Sequence, residues 1–294
     1  MELGVHLPLM QFGDEPISAQ RIRDTVDAAR DCGFAAVSAN DHLVFQTPWL
    51  DGPAALASVI ERSGEMALAT TVALAVVRGP VPLAKALAAI DVLSGGRLIA
   101  GVGPGSSAAD YAVQGIPFDE RWKRFDEAVA VLRALLRGET AAGVQLAPAP
   151  VQPGGVPVWI GSWGSDAGLA RVARLGDGWL ASAYNTTPER FAAGRAALPD
   201  DFPTALATMW TWVAKDRAEG DRVVSEVLAP ILGREPRDLR AQVCIGTPEH
   251  CGEVLHRYAQ AGCDRVYLWP LGDERRQLEL VASDVAPPIG LSKA

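Results

Sequence analysis

Eight short apolar runs alternate along the chain with stretches whose apolar residues recur at helical spacing, and no other feature limits the fold as much. The runs are Glu2 to Pro8, Phe34 to Ser38, Ala67 to Leu74, Leu98 to Gly101, Val156 to Ile160, Gly178 to Ala181, Ala205 to Ala214 and Arg265 to Leu268. Such runs read as buried strands of a parallel sheet. Between them, helices are predicted over Ser18 to Cys32, Asp51 to about Glu65, Val81 to Leu93, Phe118 to Leu136, Asp166 to Leu175, Pro188 to Ala197, Asp216 to Leu232 and Pro248 to Ala261, with a last one after Gly272. Gly138 to Gly155 reads as an excursion with room for a small hairpin. Eight strands alternating with helices, with no linker rich in Pro, Gly or Ser, predict an α/β protein with one (β/α)8 TIM barrel domain over residues 1–294. The rival is a doubly wound open sheet. That fold normally carries a G-x-G-x-x-G turn after its first strand, where this chain has Leu7-Pro8-Leu9.

The 294 residues are 49% hydrophobic, enough for one large core. No apolar run is long enough for a membrane span. A net charge of -8 argues against a nucleic-acid or anionic-membrane surface as partner. The chain begins directly with a strand-like run and shows no signal-peptide core. The four cysteines, Cys32, Cys244, Cys251 and Cys263, have no C-x-x-C spacing, and no histidine pair has zinc-finger spacing. They read as reduced thiols of a cytoplasmic protein, with Cys251 and Cys263 packing around a helix. No metal site is expected.

In such a barrel the site lies at the carboxyl ends of the strands. Asn40-Asp41-His42 stands where the second strand surfaces. Thr71, Val72 and Leu74 stand at the third, Gly103-Pro104-Gly105-Ser106 at the fourth, Gly161-Ser162-Trp163-Gly164-Ser165 at the fifth, Ser182 and Tyr184 at the sixth and Trp269 at the eighth. The glycines at the fourth exit leave room for a flat ligand or a phosphate against bare backbone. The Gly161–Ser165 turn precedes a helix, and its amides and hydroxyls suit a phosphate. The alternative is that Ser165 only caps the helix. Among the histidines His42 is placed for proton chemistry, unless it merely ties down its own loop. His6 lies in a strand, and His250 and His256 lie on a late helix. The loops Phe45 to Gly52, Ser107 to Gln114 and Thr140 to Gly155 carry no recognisable chemistry.

The chain resembles the luciferase-like flavin and deazaflavin oxidoreductases. The resemblance rests on Asp41-His42-Leu43, Leu68-Ala69-Thr70-Thr71-Val72, Arg78-Gly79-Pro80, Leu93-Ser94-Gly95-Gly96-Arg97 with Gly101-Val102-Gly103, and Gly115-Ile116-Pro117-Phe118-Asp119-Glu120-Arg121. It continues through Pro157-Val158-Trp159-Ile160-Gly161, Gly176-Asp177-Gly178-Trp179, Gly246-Thr247-Pro248-Glu249 and Ala261-Gly262-Cys263-Asp264-Arg265-Val266. It implies a barrel holding an isoalloxazine-type ring at its C-terminal mouth. It also implies a bulge with a non-proline cis peptide at Thr71-Val72 behind the ring.

By the same resemblance Asp41, Thr71, Val72, Gly103 and Ser106 lie about the ring. Gly161, Ser162, Trp163, Gly164 and Ser165 match the phosphate-binding turn, and His42 matches a histidine at the hydride-transfer centre. Sugar-phosphate dehydrogenases of the family carry an acidic residue where this chain has Ser106, and a tryptophan where it continues Leu43-Val44-Phe45. Both departures argue against that activity and leave a proton-donating acid unidentified. The expectation is an F420-dependent oxidoreductase moving a hydride between deazaflavin C5 and a small-molecule substrate. The alternatives are an FMN-dependent monooxygenase and a non-catalytic partner subunit. A homodimer is a family-level expectation.

Overall fold

The computed structural model describes residues 1–12 and 16–289. β1 (Glu2–His6) is followed by α1 (Ala19–Asp31), β2 (Ala36–Ala39), α2 (Gly52–Ser58), β3 (Ala67–Thr70), β4 (Ala73–Leu74), α3 (Pro80–Leu93), β5 (Leu98–Gly103), α4 (Ala108–Ala112) and α5 (Arg121–Leu136). The second half runs through β6 (Val158–Gly161), α6 (Asp166–Leu175), β7 (Gly178–Ser182), α7 (Pro188–Ala196), β8 (Thr204–Val213), α8 (Arg217–Arg222), α9 (Ala229–Leu232) and α10 (Pro236–Arg240). It closes with β9 (Cys244–Gly246), α11 (Pro248–Gln260), β10 (Arg265–Pro270) and α12 (Glu274–Leu280). The sheet is parallel in the order β10-β1-β2-β3-β5-β6-β7-β8, and β10 pairs back onto β8, so eight staves close into a barrel. β3 and β4 together form the third stave, and β9 adds to the outer end of β8. The fold is the (β/α)8 barrel expected from the sequence.

The helices start and stop where local chemistry says. Ser18 Oγ accepts the Arg21 amide to open α1, whose Ile22, Val26 and Ala29 are buried, and Gly33 at φ +76° ends it. A buried ion pair, Arg21 with Glu274 at 2.5 Å, ties α1 to α12.

The lower half of the barrel is filled by two aromatic rings. Tyr267 and Trp159 pack among Ala36, Ala69, Leu180, Ala205 and Ala207. They fit because glycines face them: a Cβ on Gly4 would stand 2.7 Å from the Tyr267 ring, and one on Gly178 would stand 2.5 Å from the Trp159 ring. With the rings that low, the mouth is left open.

Four expectations change in detail. The run Ala67 to Leu74 is not one strand. Ala69 pairs with Ile99 while Ala73 pairs with Val102, so four steps on the third stave oppose three on β5, and the bond Thr71-Val72 between them is cis. The helix expected to reach Glu65 stops at Ser58, and turns follow in which Arg97 donates to the carbonyls of Ile60 and Met66. The helix expected over Asp216 to Leu232 passes through a π segment, Val223–Leu228, and the irregular piece after it holds α10 and β9. The excursion from Gly138 to Gly155 forms no strand pair, only a single bridge between Ala141 and Val144.

His6 links core and mouth. It is fully buried, its Nδ1 lies 2.6 Å from the Leu7 carbonyl, and its Nε2 accepts the Asn40 amide at 2.9 Å. Its ring stacks on Trp269 with centroids 3.6 Å apart. Burial pushes its pKa down to about 3, and the Leu7 carbonyl only partly opposes this. The unfolded chain therefore binds a proton here that the folded chain refuses, so stability falls as pH drops from about 6.5 toward 3. In urea titrations at pH 7 and pH 5, His6→Gln is expected to lose less stability on acidification than the unaltered protein. Equal losses would remove His6 from the acid response.

Candidate active site

The open end of the barrel holds a cavity of about 870 Å³, within the usual range of small-molecule sites. It is bounded by the exits of β2, the third stave, β5, β6, β7 and β8. Of the residues expected from the sequence, Asp41, His42, Thr71, Val72, Gly103, Ser106, Gly161, Ser162, Trp163 and Ser165 line it. Gly164 does not: at φ +80° it turns against Trp179, Thr186 and Arg190.

The back wall is built around the break in the third stave. Val72 fills the space between two strands that carry no side chain there. A Cβ on Gly103 would lie 2.8 Å from Val72 Cγ2, and one on Gly161 would lie 3.0 Å from Val72 Cγ1. The break is held by Asp41, whose carboxylate accepts the Leu74 amide at 3.2 Å and the Arg78 guanidinium through two bonds of 2.6 Å. Arg78 also pairs with Asp51, the cap of α2. Burial works against the Arg78 charge, but the two carboxylates outweigh it and raise its pKa further. The Asp41 oxygens are thus committed to the wall. Thr71 Oγ1 and Asn40 Oδ1, on two lining residues, are buried with no partner among the described residues.

His42 stands at one side of the cavity in a cluster with Phe45 and Trp49, each ring centroid 4.7 Å from its own. Its Nδ1 lies 2.7 Å from Asp110 Oδ2, and the other oxygen of Asp110 accepts the amides of Leu43 at 2.8 Å and Val44 at 3.0 Å. Asp110 is buried on α4. Burial alone would raise its pKa, but His42 and the two amides override that and hold it below the ordinary carboxylate value. The loop Ser107 to Gln114, expected to carry no chemistry, therefore supplies the partner of the histidine. An aspartate in the first turn of a five-residue helix gives no local signal of that partnership.

On the opposite side, the turn after β6 leads into α6. Ser165 Oγ caps Gly168 at 3.2 Å, Ser162 Oγ accepts Gly164 at 3.2 Å, and the amides of Ser165, Asp166 and Ala167 find no acceptor among the described residues. The cap expected at Ser165 is present, and open amides stand beside it in the same turn. Above it lie Phe118, Arg121, Trp122 and Arg171, lining residues that the sequence reading passed over as site groups. Arg171 is paired with Asp126 at 2.5 Å. Arg121 lies 4.0 Å over the Phe118 ring and donates to the Phe118 carbonyl, with no carboxylate partner among the described residues. Its place in the stretch Gly115 to Arg121 was legible as a family resemblance, but nothing local marked it as facing the mouth.

The far side is polar and uncharged. Ser182 and Thr208 hydroxyls lie 2.9 Å apart, and Thr208 takes φ +54° within β8. Burial raises the pKa of the Tyr184 phenol, keeping it neutral. Among the described residues no group of three or more His, Cys, Asp or Glu is placed to hold a metal, and no helix is long and apolar enough to cross a membrane.

The arrangement fits a planar ring with a phosphate-bearing tail. One wall is bare backbone around Val72, with two polar atoms that have no partner among the described residues, and amides stand at one end with a guanidinium that has no carboxylate partner among them. Comparisons with known proteins agree with that geometry. An uncharacterized protein of Mycobacterium tuberculosis is 32% identical over 185 residues, 57% of this chain and 64% of its own length. The F420-dependent hydroxymycolic acid dehydrogenase of the same organism is 28% identical over 242 residues, 74% of this chain and again 64% of its own length. The chain thus spans a little under two thirds of these curated relatives. Among solved structures, monooxygenase RslO1 from Streptomyces bottropensis superposes with a TM-score of 0.82 at 22% identity, covering 98% of this chain and 99% of the other. An F420-dependent secondary alcohol dehydrogenase, solved with an F420–acetone adduct, superposes with a TM-score of 0.80 at 17% identity and 98% coverage of both chains. These two share the fold. The family model for luciferase-like monooxygenases matches residues 1–231, and the chain belongs to that family.

Proposed function

We propose that this luciferase-like oxidoreductase works with coenzyme F420, moving a hydride between deazaflavin C5 and a carbon of a small organic substrate. The observation that carries the reading is His42 at the cavity wall with Nδ1 engaged by Asp110 and Nε2 without a partner among the described residues. A hydride transfer to or from carbon commonly leaves a proton to be moved, and an imidazole on the cavity wall is suited to move it. An F420-dependent dehydrogenase among the relatives supports the choice of cofactor.

Bound deazaflavin supplies two-electron hydride chemistry with little reactivity toward oxygen. The chain supplies position and proton handling. Val72, seated against Gly103 and Gly161, would back the ring. Asp41 holds that wall from behind. Thr71 Oγ1 and Asn40 Oδ1 would be available to polar edges of the ring. Ser106, at the exit of β5, borders the same space. The amides from Ser165 to Ala167, with Ser162, Trp163 and Arg121, would hold the phosphate. Burying ring and substrate together fixes them face to face and keeps water out.

FMN with oxygen is the second reading, favoured by the family's description as monooxygenases. Titrating the protein with F420 and with FMN, followed by absorbance or fluorescence, separates the two. Tight binding of F420 over FMN is expected. Preference for FMN, with oxygen uptake in the presence of a flavin reductase, would overturn the proposal, and failure to bind either would leave a non-catalytic subunit.

Two substitutions sharpen the assignment. His42→Ala is expected to lower turnover by about 10²–10⁴-fold while leaving cofactor affinity within a few-fold. Equal losses of both would make His42 a binding group. Arg121→Ala is expected to weaken cofactor binding by about tenfold or more, the loss of one charge-assisted hydrogen bond, in the same titration.

A further inference from the structure

We infer that Asp110 is a positioning residue for His42: it fixes the imidazole tautomer and ring orientation so that Nε2, facing the cavity, is the proton-accepting nitrogen. The inference deepens the proposed function and rests on it for its kinetic part, though not for its structural part.

The geometry is that of a three-point clamp. Asp110 Oδ1 is claimed by two backbone donors, the amides of Leu43 and Val44, on the same loop that carries His42. That leaves Oδ2 directed at His42 Nδ1, 2.7 Å away. A carboxylate held ionised has no proton to give, so the proton in this bond belongs to Nδ1. The neutral imidazole must then carry its lone pair on Nε2. Phe45 and Trp49 pack together against the imidazole and add to the restraint on its orientation.

No other charged group competes for the role. Asp41, the chain neighbour, is committed to Arg78 and the Leu74 amide. Phe45 and Trp49 carry no charge. On the rest of the cavity lining, the cations are Arg121 and Arg171, the latter paired with Asp126. The consequence is a division of labour. His42 touches the substrate, and Asp110 acts only through His42, by fixing which nitrogen accepts and by facing the imidazolium that forms when it does. A buried aspartate behind a catalytic histidine does the same in serine proteases, where the amide substitution leaves the geometry intact and traps the wrong tautomer.

The isosteric change Asp110→Asn separates this role from simple loop support. The Leu43 and Val44 amides can only be met by the asparagine oxygen, so its NH2 group turns to His42. Nδ1 must then accept, and the proton moves to Nε2. Two-bond ¹H–¹⁵N correlation spectra of the imidazoles, recorded on the protein without cofactor above the titration range of the ring, are expected to show His42 with Nδ1–H in the unaltered protein and Nε2–H in Asp110→Asn. Kinetically, turnover with F420 is expected to fall about 10²-fold or more while cofactor affinity changes by less than about threefold, and the loss is expected to vanish in a His42→Ala background. Asp110→Glu is expected to restore the Nδ1–H tautomer and part of the turnover.

An unchanged tautomer in Asp110→Asn would overturn the inference. So would equal losses of turnover and cofactor affinity, or an undiminished loss in the His42→Ala background. If Asp110→Asn does not fold, Asp110→Glu carries the spectroscopic comparison, and a His42 tautomer of Nε2–H in both it and the unaltered protein would overturn the inference. Failure of the cofactor to bind the unaltered protein would sink the proposed function instead and leave the tautomer result standing.

Discussion

The ion pair between Asp41 and Arg78 holds the cavity in shape. It bridges the exit of β2 to the far half of the broken third stave, and through Asp51 it reaches the start of α2. Asp41 is almost wholly buried, so its charge is tolerable only with these partners in place. Removing one partner of such a pair typically costs about 3–5 kcal/mol, because the other is left charged and uncompensated. The wall that carries Thr71 and Val72 is therefore fixed by electrostatics on one side and by close packing against Gly103 and Gly161 on the other.

That wall matters because of how the barrel is filled. A parallel barrel of eight strands has room inside for layers of side chains. Here two large rings, Tyr267 and Trp159, fill the lower layer against alanines and glycines, and the upper layer is left to the cavity. A second aromatic group continues upward on the other side, where His6 stacks on Trp269 and Trp269 stacks on Trp210 with centroids 4.1 Å apart. Because His6 Nε2 holds the Asn40 amide, this stack also fixes the residue that precedes Asp41 and His42. The two halves of the site, wall and histidine loop, are thus both anchored in the core rather than resting on surface loops.

Within the site, charge is distributed unevenly. Negative charge is consumed by fixed partners: Asp41 by Arg78, and Asp110 by His42 and two amides. The cation Arg121 has no carboxylate partner among the described residues, and it sits across the mouth near the exposed amides of α6. A ligand with an anionic end would be drawn to that side and leave its neutral end beside His42. The Ser182 and Thr208 hydroxyls and the neutral Tyr184 phenol, facing the same space, add polarity without charge.

The sequence by itself determined the barrel, the order of its strands and the glycine-rich exits, because those follow from hydrophobic periodicity and turn chemistry among near neighbours in the chain. Ser165 could be read as a helix cap, and Gly33 as a stop, for the same reason. Tertiary structure alone decided that His42 meets Asp110, 68 residues away, since the meeting depends on which loops the closed barrel sets side by side. It likewise decided that Asp41 is spent on Arg78, that Gly164 turns away from the cavity, and that Arg121 faces the mouth with no carboxylate partner among the described residues. Each of those outcomes depends on competition among partners brought together in space, and a linear sequence does not state which partner wins.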